Sequence, residues 1–124
     1  MRLLLDTHVL IWAMQQPDRL SLHARTALAD RQNEILVSAA SVWEIAIKVA
    51  SGRLSFPVAD IDIMLAEMGF GVVEIAPRHA VELLALPRLH GDPFDRMLIA
   101  QARSEGPTLV TEDAAIRRYD VALL

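Results

Sequence analysis

Hydrophobic residues fall in short blocks along this chain, and the blocks alternate between two periods. Leu3-Leu4-Leu5, Ile35-Leu36-Val37 and Leu109-Val110 are brief, uninterrupted apolar runs, the pattern of strands buried on both faces. Gly71-Val72-Val73-Glu74-Ile75 alternates and is rich in β-branched residues, which predicts another strand over 71–75. Between these runs, apolar positions return every three or four residues. One helix is predicted over about 7–14, ending before Pro17. The next runs from Leu20 or Ser21 to about Arg31, with Leu22, Ala24, Ala27 and Leu28 as its apolar stripe. Ser41-Val42-Trp43-Glu44 has the S-x-x-E spacing of a capping box and predicts a helix that opens there and stops at Gly52.

Ile61, Leu65 and Met68 mark a further helix closed by Gly69, and one more is predicted from about Arg78 to Leu86. Asp92-Pro93-Phe94-Asp95 places proline at the first position of a helix that reaches about Glu105 and is terminated by Gly106-Pro107. Residues 108–110 form a strand, 113–118 a short helix, and 121–124 a last strand. Strand and helix alternate throughout. The pattern predicts an α/β fold with a central parallel sheet of four to five strands, covered by helices on both faces.

At 124 residues, with 53% of them hydrophobic, the chain suffices for one domain, 1–124, around one core. Neither a repeat nor a Gly/Ser/Pro-rich linker divides it. There is no cysteine, which excludes disulfides and thiolate metal sites. Asp6 interrupts the apolar start too early for a signal peptide. The apolar stretch Ile35–Ala50 carries Glu44 and Lys48 and is too short to span a bilayer. The expectation is a cytoplasmic protein with no membrane association. A net charge of −4 argues against a broad basic face for nucleic acid. The cations are eleven arginines and the single Lys48. Guanidinium groups suit phosphates, although a GC-rich genome produces the same bias.

The chemistry resides in four acids that fall at strand–helix junctions: Asp6 after the first strand, Glu44 in the helix after the second, Asp95 at the start of a late helix, and Asp113 after the strand 108–110. Each has an ordinary structural role open to it. Asp6 could cap a helix, Glu44 could complete the box with Ser41 or pair with Lys48, Asp92 could cap the helix that carries Asp95, and Asp113 could favour a helix dipole. Caps alone do not explain why the acids gather at one edge, the carboxyl end of a parallel sheet where ligands bind. Crowded carboxylates repel unless a cation sits among them. Mg²⁺ and Mn²⁺ prefer such oxygen ligands, and the expected chemistry is phosphodiester hydrolysis.

Other schemes lack their residues. There is no G-x-S-x-G elbow, no H-E-x-x-H, no G-x-x-x-x-G-K-[ST] and no G-x-G-x-x-G. His8 and His90 flank the acidic segments and are candidate RNA contacts, whereas His23 and His79 are expected to be structural. A haloacid-dehalogenase-like phosphatase wants an acid where His8 stands, and a receiver domain wants an acidic pair and a late lysine that are missing.

Four segments together resemble the PIN-domain proteins of the VapC toxin type. They are Leu3-Leu4-Leu5-Asp6-Thr7-His8-Val9-Leu10-Ile11-Trp12, Ser41-Val42-Trp43-Glu44-Ile45-Ala46-Ile47-Lys48, the stretch His90-Gly91-Asp92-Pro93-Phe94-Asp95-Arg96 running on to Ala102, and Leu109-Val110-Thr111-Glu112-Asp113. They occur in family order and span nearly the whole chain. The resemblance implies a three-layer α/β/α PIN-like domain and a metal-dependent endoribonuclease, the toxin of a toxin–antitoxin pair. RNA would be hydrolysed by metal-activated water, with Mg²⁺ or Mn²⁺ as cofactor. It carries the catalytic and metal-binding roles onto Asp6, Glu44, Asp95 and Asp113, with Asp6 and Asp95 as first choice for direct ligands and Glu112 as a rival to Asp113.

Thr7, Thr111 and Asp92 would orient ligands, and Arg96 would meet a phosphate or form an outward salt bridge. A small antitoxin partner is implied, with Trp12, Trp43, Met14 and Phe56 as candidate contacts. For Trp43, core packing is the favoured role. The expected assembly is a homodimer or a hetero-oligomer with antitoxin. The alternative is a PIN module that binds RNA or antitoxin without hydrolysis.

Overall fold

A computed structural model describes all residues, 1–124. Four strands form one parallel sheet in the order β3-β2-β1-β4: β1 (Arg2–Leu5), β2 (Glu34–Ser38), β3 (Gly71–Val73) and β4 (Thr108–Val110). The register aligns Leu5 with Val37 and Val110, and Ser38 with Val73, so all four strands end together along one edge.

The period of two decides what each face buries. Leu3, Leu5, Ile35, Val37 and Val110 point into one core. There they meet residues of α1 (Thr7–Gln15), α2 (Leu22–Ala29), α3 (Ala39–Ala50) and α4 (Ile61–Met68). Leu4, Leu36 and Leu109 point into a second core with Leu98, Ile99 and Ala102 of α6 (Pro93–Glu105). The short α5 (Pro77–Glu82) packs on α6. Both faces are therefore covered, which makes three layers, α/β/α, with the sheet in the middle.

Several boundaries differ from those the sequence predicts, each for a local reason. The helix expected to open at Ser41 begins at Ala39, because the Ser38 hydroxyl accepts the Ala40 amide hydrogen at 3.0 Å and caps it. Ser41 is buried inside the helix and accepts a hydrogen bond from the Thr7 hydroxyl at 3.0 Å. The strand over 71–75 stops at Val73. The helix over 78–86 is α5 followed by a 3₁₀ turn, Leu83–Ala85. The helix over 113–118 reduces to a 3₁₀ turn, Ile116–Arg118, and the strand over 121–124 to one parallel bridge, Leu123 with Leu109. No helix is long and apolar enough to cross a membrane.

Candidate active site

Asp6 leaves β1 at the shared edge. Its backbone amide still belongs to the sheet, donating to the Val110 carbonyl at 3.0 Å. Its carboxylate is only 3% exposed and is held at both oxygens. Oδ1 accepts the Val9 amide at 2.8 Å, capping α1, and Oδ2 accepts the Thr111 hydroxyl in a short bond. The Thr111 hydroxyl in turn accepts the Asp113 amide at 3.0 Å. The end of β1 and the loop after β4 are thus tied through one hydroxyl. Burial pushes the Asp6 carboxyl above its ordinary value, and nearby Asp113 adds to the rise. The bonds from Thr111 and Val9 and the proximity of His8 oppose it.

Glu44 lies in the second turn of α3, not at its start, and its side chain is buried. Oε2 pairs with the Lys48 ammonium, one turn on, at 2.8 Å. Oε1 is buried with no hydrogen-bond partner, an expensive condition for a carboxylate oxygen.

Asp95 sits in the first turn of α6. Asp92 caps that helix, its Oδ1 accepting the amides of Phe94 at 2.9 Å and Asp95 at 3.0 Å. Burial, then the negative charges of Asp92, Asp113 and Glu44, push the Asp95 carboxyl up to about 6, against a hydrogen bond from His90. Those effects place Asp113 and Glu44 within electrostatic reach of Asp95, and Asp113 also within reach of Asp6.

Asp6, His8, Trp12, Arg19, Glu112 and Asp113 line an open groove of about 400 Å³. The Arg19 guanidinium lies 4.8 Å above the Trp12 ring. Glu112 is drawn aside, accepting the Ser21 amide at 3.0 Å, whereas the Asp113 carboxylate accepts the Ala115 amide at 2.8 Å.

As donors, these carboxylates fit a hard divalent cation. Each held oxygen of Asp6 keeps a further lone pair, and Glu44 Oε1 is free. As they stand, however, no three His, Asp or Glu side chains converge closely enough to hold a metal ion. Glu44 in particular is turned toward Lys48.

Other expectations change. Arg96 forms no outward salt bridge: Nη1 donates to the Pro87 carbonyl at 2.9 Å and to the Tyr119 hydroxyl at 3.0 Å. Trp43 is not core. It is 60% exposed and meets Phe94 edge-on, with ring centroids 5.2 Å apart. Phe56 is the reverse, a core residue rather than a surface contact. His23 is exposed and makes no hydrogen bond that would mark it as structural. His79 is structural as expected, fully buried, accepting the Ala76 amide at Nδ1 (2.9 Å) and bonded to Glu105 through Nε2 (2.7 Å).

Sequence reasoning missed the bond between His90 and Asp95 (3.2 Å) and the support of His90 by Tyr119. Nothing local in the sequence joins positions 90 and 119.

Comparison with known proteins places this geometry among relatives. The family model of the PIN domain matches residues 3–122. The chain is 38% identical over 119 residues to "Ribonuclease VapC22" of Mycobacterium tuberculosis, covering 94% of this chain and 90% of that one. Among solved structures, VapBC2 from Rickettsia felis bound to a promoter DNA fragment matches with a TM-score of 0.75. It is 21% identical, with 100% of this chain and 97% of that chain covered. DNA-bound VapBC from Salmonella typhimurium matches with a TM-score of 0.70 and 15% identity, over 99% and 96%. At those identities the solved structures speak for the fold.

Proposed function

The chain belongs to the PIN-domain family, and from that premise we propose that it is an endoribonuclease acting as the toxin of a toxin–antitoxin pair. Its substrate in this reading is RNA, its cofactor Mg²⁺ or Mn²⁺, and its site Asp6, Glu44, Asp95 and Asp113. The observation that carries the reading is the buried Glu44 carboxylate, with one oxygen unpartnered, in the electrostatic neighbourhood of Asp95 at the carboxyl edge of a parallel sheet. The name of the Mycobacterium relative supports it from the side of activity.

What a divalent ion supplies in such a site is positive charge at the scissile phosphate and a lowered pKa for water. The chain's own part is to hold and orient. Asp6 is fixed by Val9 and Thr111, so the orientation of its carboxylate is set before any ion arrives. Glu44 is tethered at one oxygen by Lys48, which leaves the other to complete the site or to take a proton from the attacking water. Arg19, beside Trp12 on the groove wall, is the cation placed to meet an RNA phosphate. No cysteine is available, and water is the nucleophile. The P–O3′ bond breaks, leaving a 3′-hydroxyl and a 5′-phosphate.

The VapBC assemblies among the solved neighbours support a small antitoxin partner. Half-buried Trp12 and Met14 and exposed Trp43 are the contacts available to it, as a hetero-oligomer built on single or paired copies of this chain.

The test is cleavage of end-labelled RNA by the purified chain with Mg²⁺ or Mn²⁺, with EDTA, and as Asp6→Asn. Discrete fragments that need the ion and vanish in the variant are expected. RNA that is retained in EDTA and never cut would leave a binding module instead.

A further inference from the structure

His90 is the sole hydrogen-bond partner of the Asp95 carboxylate, and the groups behind it determine how its ring presents itself. The Tyr119 hydroxyl lies in the second core, where the residue is 4% exposed. It receives two donors, Arg96 Nη1 at 3.0 Å and the His90 backbone amide at 3.2 Å. A phenol oxygen has two lone pairs and one hydrogen. With both lone pairs engaged, its hydrogen goes to the remaining neighbour, His90 Nδ1, at 2.7 Å. That assignment makes Nδ1 an acceptor and puts the ring hydrogen on Nε2, which donates to Asp95 Oδ2 at 3.2 Å.

The segment that carries His90 is irregular, and two guanidinium groups hold it. Arg96 binds the Pro87 carbonyl at 2.9 Å, and Arg118 binds the Leu89 carbonyl at 3.2 Å. The His90 and Tyr119 rings meet edge to face, with centroids 5.3 Å apart. The donor therefore reaches Asp95 from one fixed side. Oδ2 is occupied on that side, and Oδ1 has no hydrogen-bond partner.

We propose that Arg96, Tyr119 and His90 form a directed hydrogen-bond relay that positions Asp95 and thereby sets the affinity of the site for its divalent ion. His90 touches the ligand, and Tyr119 and Arg96 act through it as positioning residues. The inference rests on the metal-dependent reading given above. Groups that orient a ligating carboxylate contribute about 10- to 100-fold to metal affinity.

The experiment measures Mn²⁺ binding to the full chain by calorimetry or by the EPR signal of the free ion. RNA cleavage is followed alongside as a function of Mn²⁺ concentration. The variants are Asp95→Asn, His90→Ala, His90→Gln, Tyr119→Phe and the pair His90→Ala/Tyr119→Phe. Asp95→Asn should lose saturable binding. His90→Ala should bind Mn²⁺ about 10- to 100-fold more weakly, and excess Mn²⁺ should restore its cleavage, which it would not do for a lost proton donor. His90→Gln should recover most of the affinity, because its amide hydrogen can stand where Nε2–H stood. Tyr119→Phe should weaken binding less than His90→Ala, and the pair should be no worse than His90→Ala alone, the non-additivity of a residue that acts through another.

Wild-type affinity in His90→Ala, with Asp95→Asn inactive and unbound, would overturn the relay and leave the metal reading standing. No saturable Mn²⁺ binding by the wild type would overturn both. Should His90→Ala not fold, the Gln and Phe variants still decide: unchanged Mn²⁺ affinity in Tyr119→Phe, which keeps the ring and loses only the hydroxyl, with a large loss in His90→Gln would show a packing role only.

Discussion

Asp95 carries its negative charge at a cost to the fold. An unfolded chain ionises an aspartate near 3.8, whereas the folded protein holds this one up to about 6. Between those values the unfolded state releases its proton more readily, so the folded state loses stability as pH rises through the window. Asp95→Asn removes the charge and keeps an oxygen for His90. In metal-free protein at pH 7 it should raise stability by about 1–2 kcal/mol, a shift near two pK units discounted for partial exposure. The gain should shrink to nothing below about pH 4. Thermal melts in EDTA across that range check it, and an unchanged melting temperature at pH 7 would show that Asp95 is not held against its neighbours. Glu105 has the opposite sign. Its bonds from His79, then Arg78, hold its carboxyl below the ordinary value. It contributes stability above that ordinary value and loses it as pH falls through the lowered one. Glu105→Gln should therefore melt lower than the wild type at pH 7, with the deficit closing in strong acid.

Among the elements, α3 gives the sharpest test. Its cap is Ser38, so Ser38→Ala should cost about 1 kcal/mol in a denaturant titration, the usual effect of a lost N-cap. Ser41→Ala should instead break the bond to Thr7 without fraying the helix. Both serines were plain in the sequence, but S-x-x-E spacing made Ser41 look like the cap. What decides between them is where β2 ends, and that depends on pairing with β3 through Ser38 and Val73, which is long-range information. The same contrast runs through the rest. The apolar runs at 3–5, 35–37 and 109–110 were legible because each strand is buried on both faces, and the place of Asp6 was legible because it directly follows β1 at the carboxyl edge of the sheet. The roles of Arg96, Trp43 and Phe56 were not, since direction depends on partners distant in sequence: Tyr119 for Arg96, Phe94 for Trp43.

For the molecule as a whole, the acids come from both ends of the chain and from the middle, and a bound cation would link them across all three layers. Anything that binds the folded state alone stabilises it by mass action. Mn²⁺ should therefore raise the melting temperature of the wild type in a concentration-dependent way and do little for Asp6→Asn. A rise of equal size in that variant would place the ion elsewhere. The bond between Thr111 and Asp6 joins groups 105 residues apart, and β1 gains its β4 neighbour only through residues 108–110. Proteins are made from the amino end, and N-terminal parts become available to fold first. A growing chain that has already folded its first helices still lacks Thr111 to fix Asp6, and lacks Asp113 altogether. On the proposed reading, the ribosome translating this message carries a chain whose acid edge is incomplete for most of the synthesis and is completed only after residue 113 has been made.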